Sequence, residues 1–110
     1  MSSKTYIKDF FLLVIFMFFF GFWSIHIGQD INWDLLNYHF YNPYAFLHNR
    51  LDYDFAPAMS QTYLNPFLDI FNFFLIVTQK PIVTSFILGS VSGITAFFLY
   101  KIALLCFEKW

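Results

Sequence analysis

Apolar residues gather into three runs, and one polar stretch rich in aromatics separates the first run from the others. Phe10 to Ile27 is almost unbroken: FFLLVIFMFFFGFWSIHI. At about 1.5 Å per residue it reaches roughly 27 Å, close to the hydrocarbon thickness of a bilayer. Pro66 to Thr78 is apolar but short, roughly 20 Å as a helix. Ile82 to Phe107 is long enough to span with tilt. Asn65 suits a helix N-cap and Pro66 the first helical position, while Gln79-Lys80-Pro81 reads as a tight turn. The pattern predicts an all-α membrane protein with about three transmembrane helices. The second helix spans upright only if it starts earlier, near Met59, with a kink at Pro66. No internal repeat is present.

Between the first two runs, residues 28–65 predict an external loop containing interfacial helices. Trp33, Leu36, Phe40, Tyr44 and Leu47 recur at three- and four-residue steps, which is one apolar face of a helix. Such a helix lies along the membrane surface, apolar face down. Pro43 kinks it or splits it in two, and Asn49 to Pro57 reads as a loop.

Composition sharpens this picture. The chain of 110 residues is 59% hydrophobic, 25% aromatic and only 12% charged, with eighteen Phe. Soluble domains average about 25% charged residues. Lipid accepts Phe without requiring a shaped cavity. A net charge of -1 leaves no basic footprint for nucleic acid. Cys106, the sole cysteine, sits in an apolar run and reads as a small buried hydrophobe.

Lys4 and Lys8 suit a cytoplasmic N-terminus, and the bulky exit Gly21-Phe22-Trp23-Ser24-Ile25-His26 argues for an uncleaved anchor over a signal peptide. With three spans the positive-inside rule ties: Lys4, Lys8 and Lys80 are inside, and Arg50, Lys101 and Lys109 outside. If the second segment only re-enters, the C-terminal lysines move inside and the rule is better met. The strongly apolar second segment favours three spans. Ser85, Gly89 and Gly93 stand four apart, a small-residue face for close helix packing.

Candidate chemistry lies in two polar stripes. Asp30, Asp34, Asn37 and Tyr41 share one helical face, with Tyr38 bordering it and His39 further round. A carboxylate near a membrane surface has its pKa raised by partial desolvation and can act as a general base toward a hydroxyl. The same pattern also describes the wet face of an interfacial helix. Gln61, Asn65, Asp69 and Asn72 form the second stripe. A carboxylate in a membrane segment marks a function or a buried partner, and one in a first helical turn also suits the dipole. Arg50 could clamp a phosphate or pair with Asp52 or Asp54. His26, His39 and His48 lack metal-ligand spacing, and no sequence feature specifies a cofactor.

Asp34-Leu-Leu-Asn-Tyr-His-Phe-Tyr, followed by Pro57-Ala-Met-Ser-Gln-Thr-Tyr-Leu-Asn-Pro66, resembles the N-terminal part of bacterial GT-C-type membrane glycosyltransferases, the family 39 and family 87-like enzymes. The resemblance covers about Phe10 to Phe74. It implies a sugar donor on a polyprenyl phosphate, a cell-envelope acceptor, and the bacterial plasma membrane as location. Asp34 matches the family aspartate, the base or acceptor-orienting group, with Asn37, Tyr38 and His39 as its shell. Leu35 stands where a second acidic residue is common, and the stretch Asn49 to Asp54 lacks its usual glycine. Arg50 is implied to meet the phosphate, with Asp30, Asp54, Gln61 and Asn65 also on the substrate side. Family members carry many more helices, so the resemblance implies a fragment that is inactive alone. The rival reading is a small noncatalytic membrane subunit docking through Ser85, Gly89 and Gly93. A weaker third is a transporter piece using Asp69 as an ion site.

Overall fold

The computed structural model describes residues 3–28, 32–54 and 59–107. Among them the chain is helical, with no strand. Four α-helices follow in order: α1 (Ser3–Ile27), α2 (Tyr41–Leu47), α3 (Phe67–Thr78) and α4 (Pro81–Phe107). A wide π-turn covers Leu35–His39, and a 3-10 turn covers Met59–Tyr63. The chain divides into two compact units. One holds residues 1–29 and 82–110, the other residues 30–81.

The first unit is a pair of long helices. Two helices, α1 and α4, are long and apolar enough to cross a membrane. Their side chains face outward rather than into a core: Phe10, Phe11, Phe18, Phe19 and Phe22 are all more than half exposed. Water would penalise such a surface and hydrocarbon does not.

The two helices run antiparallel. Asp9 near the start of α1 meets Lys101 near the end of α4, with Nζ to Oδ2 at 2.9 Å. Phe16 packs against Phe97 and Tyr100, and Phe18 and Phe22 against Phe86. The close approach falls where α4 has no side chain. A Cβ on Gly89 would lie 2.5 Å from the Phe20 carbonyl oxygen, and one on Gly93 would lie 2.6 Å from that of Phe16. Gly21 on α1 completes the seam opposite Phe86 and Ser90. Gly89 and Gly93 therefore face a helix of their own chain.

The second unit is built from short pieces packed on α2. The Asn32 side chain accepts the Leu35 N–H at 2.9 Å, an N-cap for the turn that follows. The Phe40 N–H reaches back five residues to the Leu35 carbonyl at 3.0 Å, which widens the helix by one residue. The cause lies just downstream. Pro43 has no N–H for the His39 carbonyl, and its ring would collide with that oxygen in a regular helix. The chain relieves the conflict with the wide turn, and α2 restarts at Tyr41 with Pro43 in its first turn.

This wide turn breaks the continuous apolar face read along residues 33–47. Phe40 and Tyr44 pack on the buried Phe73 of α3, while Trp33, Leu36 and Leu47 are exposed. Ala45, Pro43, Asn42 and Thr62 are buried with Phe73, so this small core is partly polar.

Helix α2 ends on a residue with positive φ. Asn49 sits at φ 53, the Arg50 N–H bonds the Ala45 carbonyl at 2.8 Å, and the Asn49 N–H bonds that of Phe46. This is a Schellman ending, where glycine is the usual occupant and asparagine the common substitute.

Helix α3 does not begin near Met59. Leu64 to Pro66 are not helical and separate it from the 3-10 turn. Pro66 occupies the N-cap position, one residue later than the sequence suggested, and the Asn65 side chain accepts the Phe67 N–H at 3.0 Å. Its 12 residues give about 18 Å, well short of the roughly 30 Å hydrocarbon layer.

Candidate functional site

The chemistry-bearing residues of the second unit fall into two clusters. In the first, the π-turn and α3 bring together groups that stand 30 residues apart: His39 Nδ1 lies 2.9 Å from Asp69 Oδ1. The His39 side chain is 40% exposed and that of Asp69 is 24% exposed, so the pair is shielded yet reachable. Tyr38 lies over the imidazole with ring centres 4.2 Å apart. With its proton on Nδ1, His39 donates to Asp69 and leaves Nε2 as a free lone pair. A carboxylate that fixes the tautomer and orientation of an imidazole is the arrangement general-base catalysis uses.

The second cluster follows the end of α2. Arg50 forks onto Asp54, with Nε and Nη2 each donating at 2.8 Å to a different carboxylate oxygen. The Tyr41 hydroxyl donates to the same carboxylate. Arg50 first, and Tyr41 second, hold the Asp54 carboxyl below the usual range. Burial first, and the bond to Asp54 second, push the Tyr41 phenol up to about 12. A guanidinium with its Nε–Nη2 edge forked onto one carboxylate is charge-paired in place. Arg50 thus closes the loop through this edge.

The remaining sequence candidates are placed as follows. Asp34 is exposed on the turn ahead of the π-turn, and no hydrogen bond or ion pair engages its carboxylate among the described residues. The Asn37 side chain donates back to the Trp33 carbonyl at 2.8 Å, a local bond. Gln61 serves through its backbone, its carbonyl accepting the Asn42 side-chain N–H at 2.7 Å. Asn65 is used as the cap of α3. Asp30 lies outside the described residues.

The polar stripes therefore do not survive as continuous faces. The π-turn rotates Asp34 out of line with Tyr41, and the break at 64–66 separates Gln61 from Asp69. His39, read as peripheral, becomes central. Among the described residues, two side-chain oxygens, those of Asn42 and Asn72, are buried without a hydrogen-bond partner. Among the described residues no group of three His, Cys, Asp or Glu could hold a metal ion.

Among the described residues the chain is helical, with two helices long and apolar enough to cross a membrane and, in the sequence between them, a small polar-cored unit. No protein-family model, curated protein or solved structure matches the chain.

Proposed function

We propose that the chain is the N-terminal portion of a membrane glycosyltransferase that moves a sugar from a polyprenyl-phosphate donor to a cell-envelope acceptor. Residues 30–81 lie on the external face of a bacterial plasma membrane, and the Ser3 end of α1 is cytoplasmic. The sequence resemblance to GT-C-type enzymes motivates the reaction. The observation that carries it into a mechanism is the His39–Asp69 pair at 2.9 Å.

In this reading His39 is the base, and Asp34, exposed and unengaged, orients the acceptor. Nε2 of His39 takes the proton of the acceptor hydroxyl. The hydroxyl oxygen bonds the anomeric carbon, the bond from that carbon to the phosphate oxygen breaks, and the polyprenyl phosphate departs with the electron pair. Asp69 stabilises the imidazolium that forms and keeps the ring in one orientation. Positioned bases of this kind contribute about 10²–10⁴-fold.

The test is transfer of radiolabelled sugar from a purified polyprenyl-phosphate donor to envelope acceptor by the full protein in native membranes. His39→Gln should lower kcat by about 10²-fold or more. Asp69→Asn should lower kcat while leaving KM for the donor nearly unchanged. An unaltered rate in His39→Gln membranes containing normal amounts of protein would refute the assignment of the base.

A further inference from the structure

We infer that α3 does not cross the membrane but lies along its external boundary with one face in lipid, and that the bilayer itself is the partner of that face. This rests on the membrane reading of α1 and α4, not on the sugar-transfer reading.

The first observation is parity. Helices α1 and α4 pack antiparallel, so Ile27 at the end of α1 and Pro81 at the start of α4 finish at the same end of the pair. If both cross, the chain between them leaves and re-enters at one membrane face, and it crosses an even number of times. Among its described residues it contains a single apolar helix of intermediate length, α3, with 12 residues. One helix cannot supply an even number of crossings other than none. Three spans would have made α1 and α4 parallel.

The second observation is that α3 is inverted relative to a helix on a water-soluble protein. Its polar side chains face inward: Asp69 meets His39, and the Asn72 oxygen is buried. Beside Asp69 on this face, Phe73 is 6% exposed. The opposite face carries Leu68, 87% exposed, and Phe67, 73% exposed, together with Phe71 and Phe74. At 100° per residue these four fall within one arc of about 120°, opposite Asp69 and Phe73 and with Asn72 at its edge. In water the hydrophobic effect would turn such a helix the other way. Against the acyl chains just under the headgroups it is the favoured orientation.

The third observation is tethering. Ile27 and Pro81 hold the two ends of this segment beside the same membrane surface, so docking the α3 face costs little additional ordering. The lipid-facing helix would place the His39–Asp69 pair on the opposite side of α3 from the acyl chains.

Single cysteines in a Cys106→Ser background of the full chain test this. Tyr53→Cys and Lys80→Cys report sidedness, and unaltered Cys106 reports the far end of α4. In spheroplasts an impermeant maleimide should label positions 53 and 80, and should label Cys106 only after permeabilisation. An environment-sensitive fluorophore on Leu68→Cys or Phe71→Cys should lose most of its emission to brominated lipid in reconstituted vesicles and little to iodide. Labelling of 53 and 80 from opposite sides would show that α3 crosses and end the proposal. Emission quenched by iodide, or by neither agent, would also end it, because the occupant would then be water or protein. The sugar-transfer reading is tested separately by His39→Gln and stands or falls without this result.

Discussion

Asp54 serves two partners at once, and that fixes how the loop after α2 responds to pH. Its carboxyl is held low mainly by Arg50, so the stability it contributes is present above the ordinary carboxylate value of about 4 and is lost as pH falls through the depressed one. Tyr41 behaves oppositely. Its contribution is intact below the ordinary phenol value of about 10 and disappears as pH rises to about 12, where a phenolate would face Asp54. Asp54→Asn should bring Tyr41 back toward the ordinary value. NMR titration of labelled tyrosine, with Tyr41→Phe to assign the signal, measures it; an unmoved Tyr41 resonance would show that Asp54 is not its partner. The sequence offered Asp52 and Asp54 equally as partners for Arg50. What decides between them is the ending of α2, where Asn49 takes a conformation usually left to glycine and aims the next residue back at Asp54. Nor could any local pattern join His39 to Asp69, because their spacing of 30 residues encodes no period. Each was legible as unusual in its own setting, and only the fold makes them a pair.

Among the elements, α1 and α4 were the most legible, since unbroken apolar sequence of membrane length has few alternatives. Their ends moved by little at α4 and by a turn or two at the start of α1, where Ser3 to Asp9 continue the helix despite their polarity. The seam between them was half legible. Spacing marked Gly89 and Gly93, but not that Gly21 and the backbone of Phe16 to Phe20 would be what they meet. Because backbone cannot rotate away, Gly93→Leu should force the helices apart and cost about 1–3 kcal/mol. The measurement is thermal unfolding in detergent with a fluorophore pair on the two helices. A melting temperature within error of the parent's would mean the seam has slack. Least legible was the stretch from Trp33 to Leu47. A period of 3.6 assumes no interruption, and the wide turn supplies one ahead of Pro43.

At the scale of the molecule, the charge distribution could not fix the number of crossings from sequence alone, because the three-span count ties. The antiparallel pair brings Lys8 of α1 and Lys101 of α4 to one end, a clustering of the kind the positive-inside rule favours on the cytoplasmic side. Both helices also expose large apolar side chains along their length, a surface that hydrocarbon accepts. The chain should therefore stay with the membrane through an alkaline carbonate wash that strips peripheral proteins, and should leave it only with detergent. Recovery in the carbonate supernatant would remove the two crossings.

The wide turn at Leu35–His39 ties this architecture to the number of codons that encode it. Losing one codon there would swing Trp33 and Asp34 by about 100° relative to Phe40 and Tyr44. Indels in this short window therefore act as rotations, redirecting one set of side chains while leaving their identities untouched. Substitution scanning alone would never sample that kind of change.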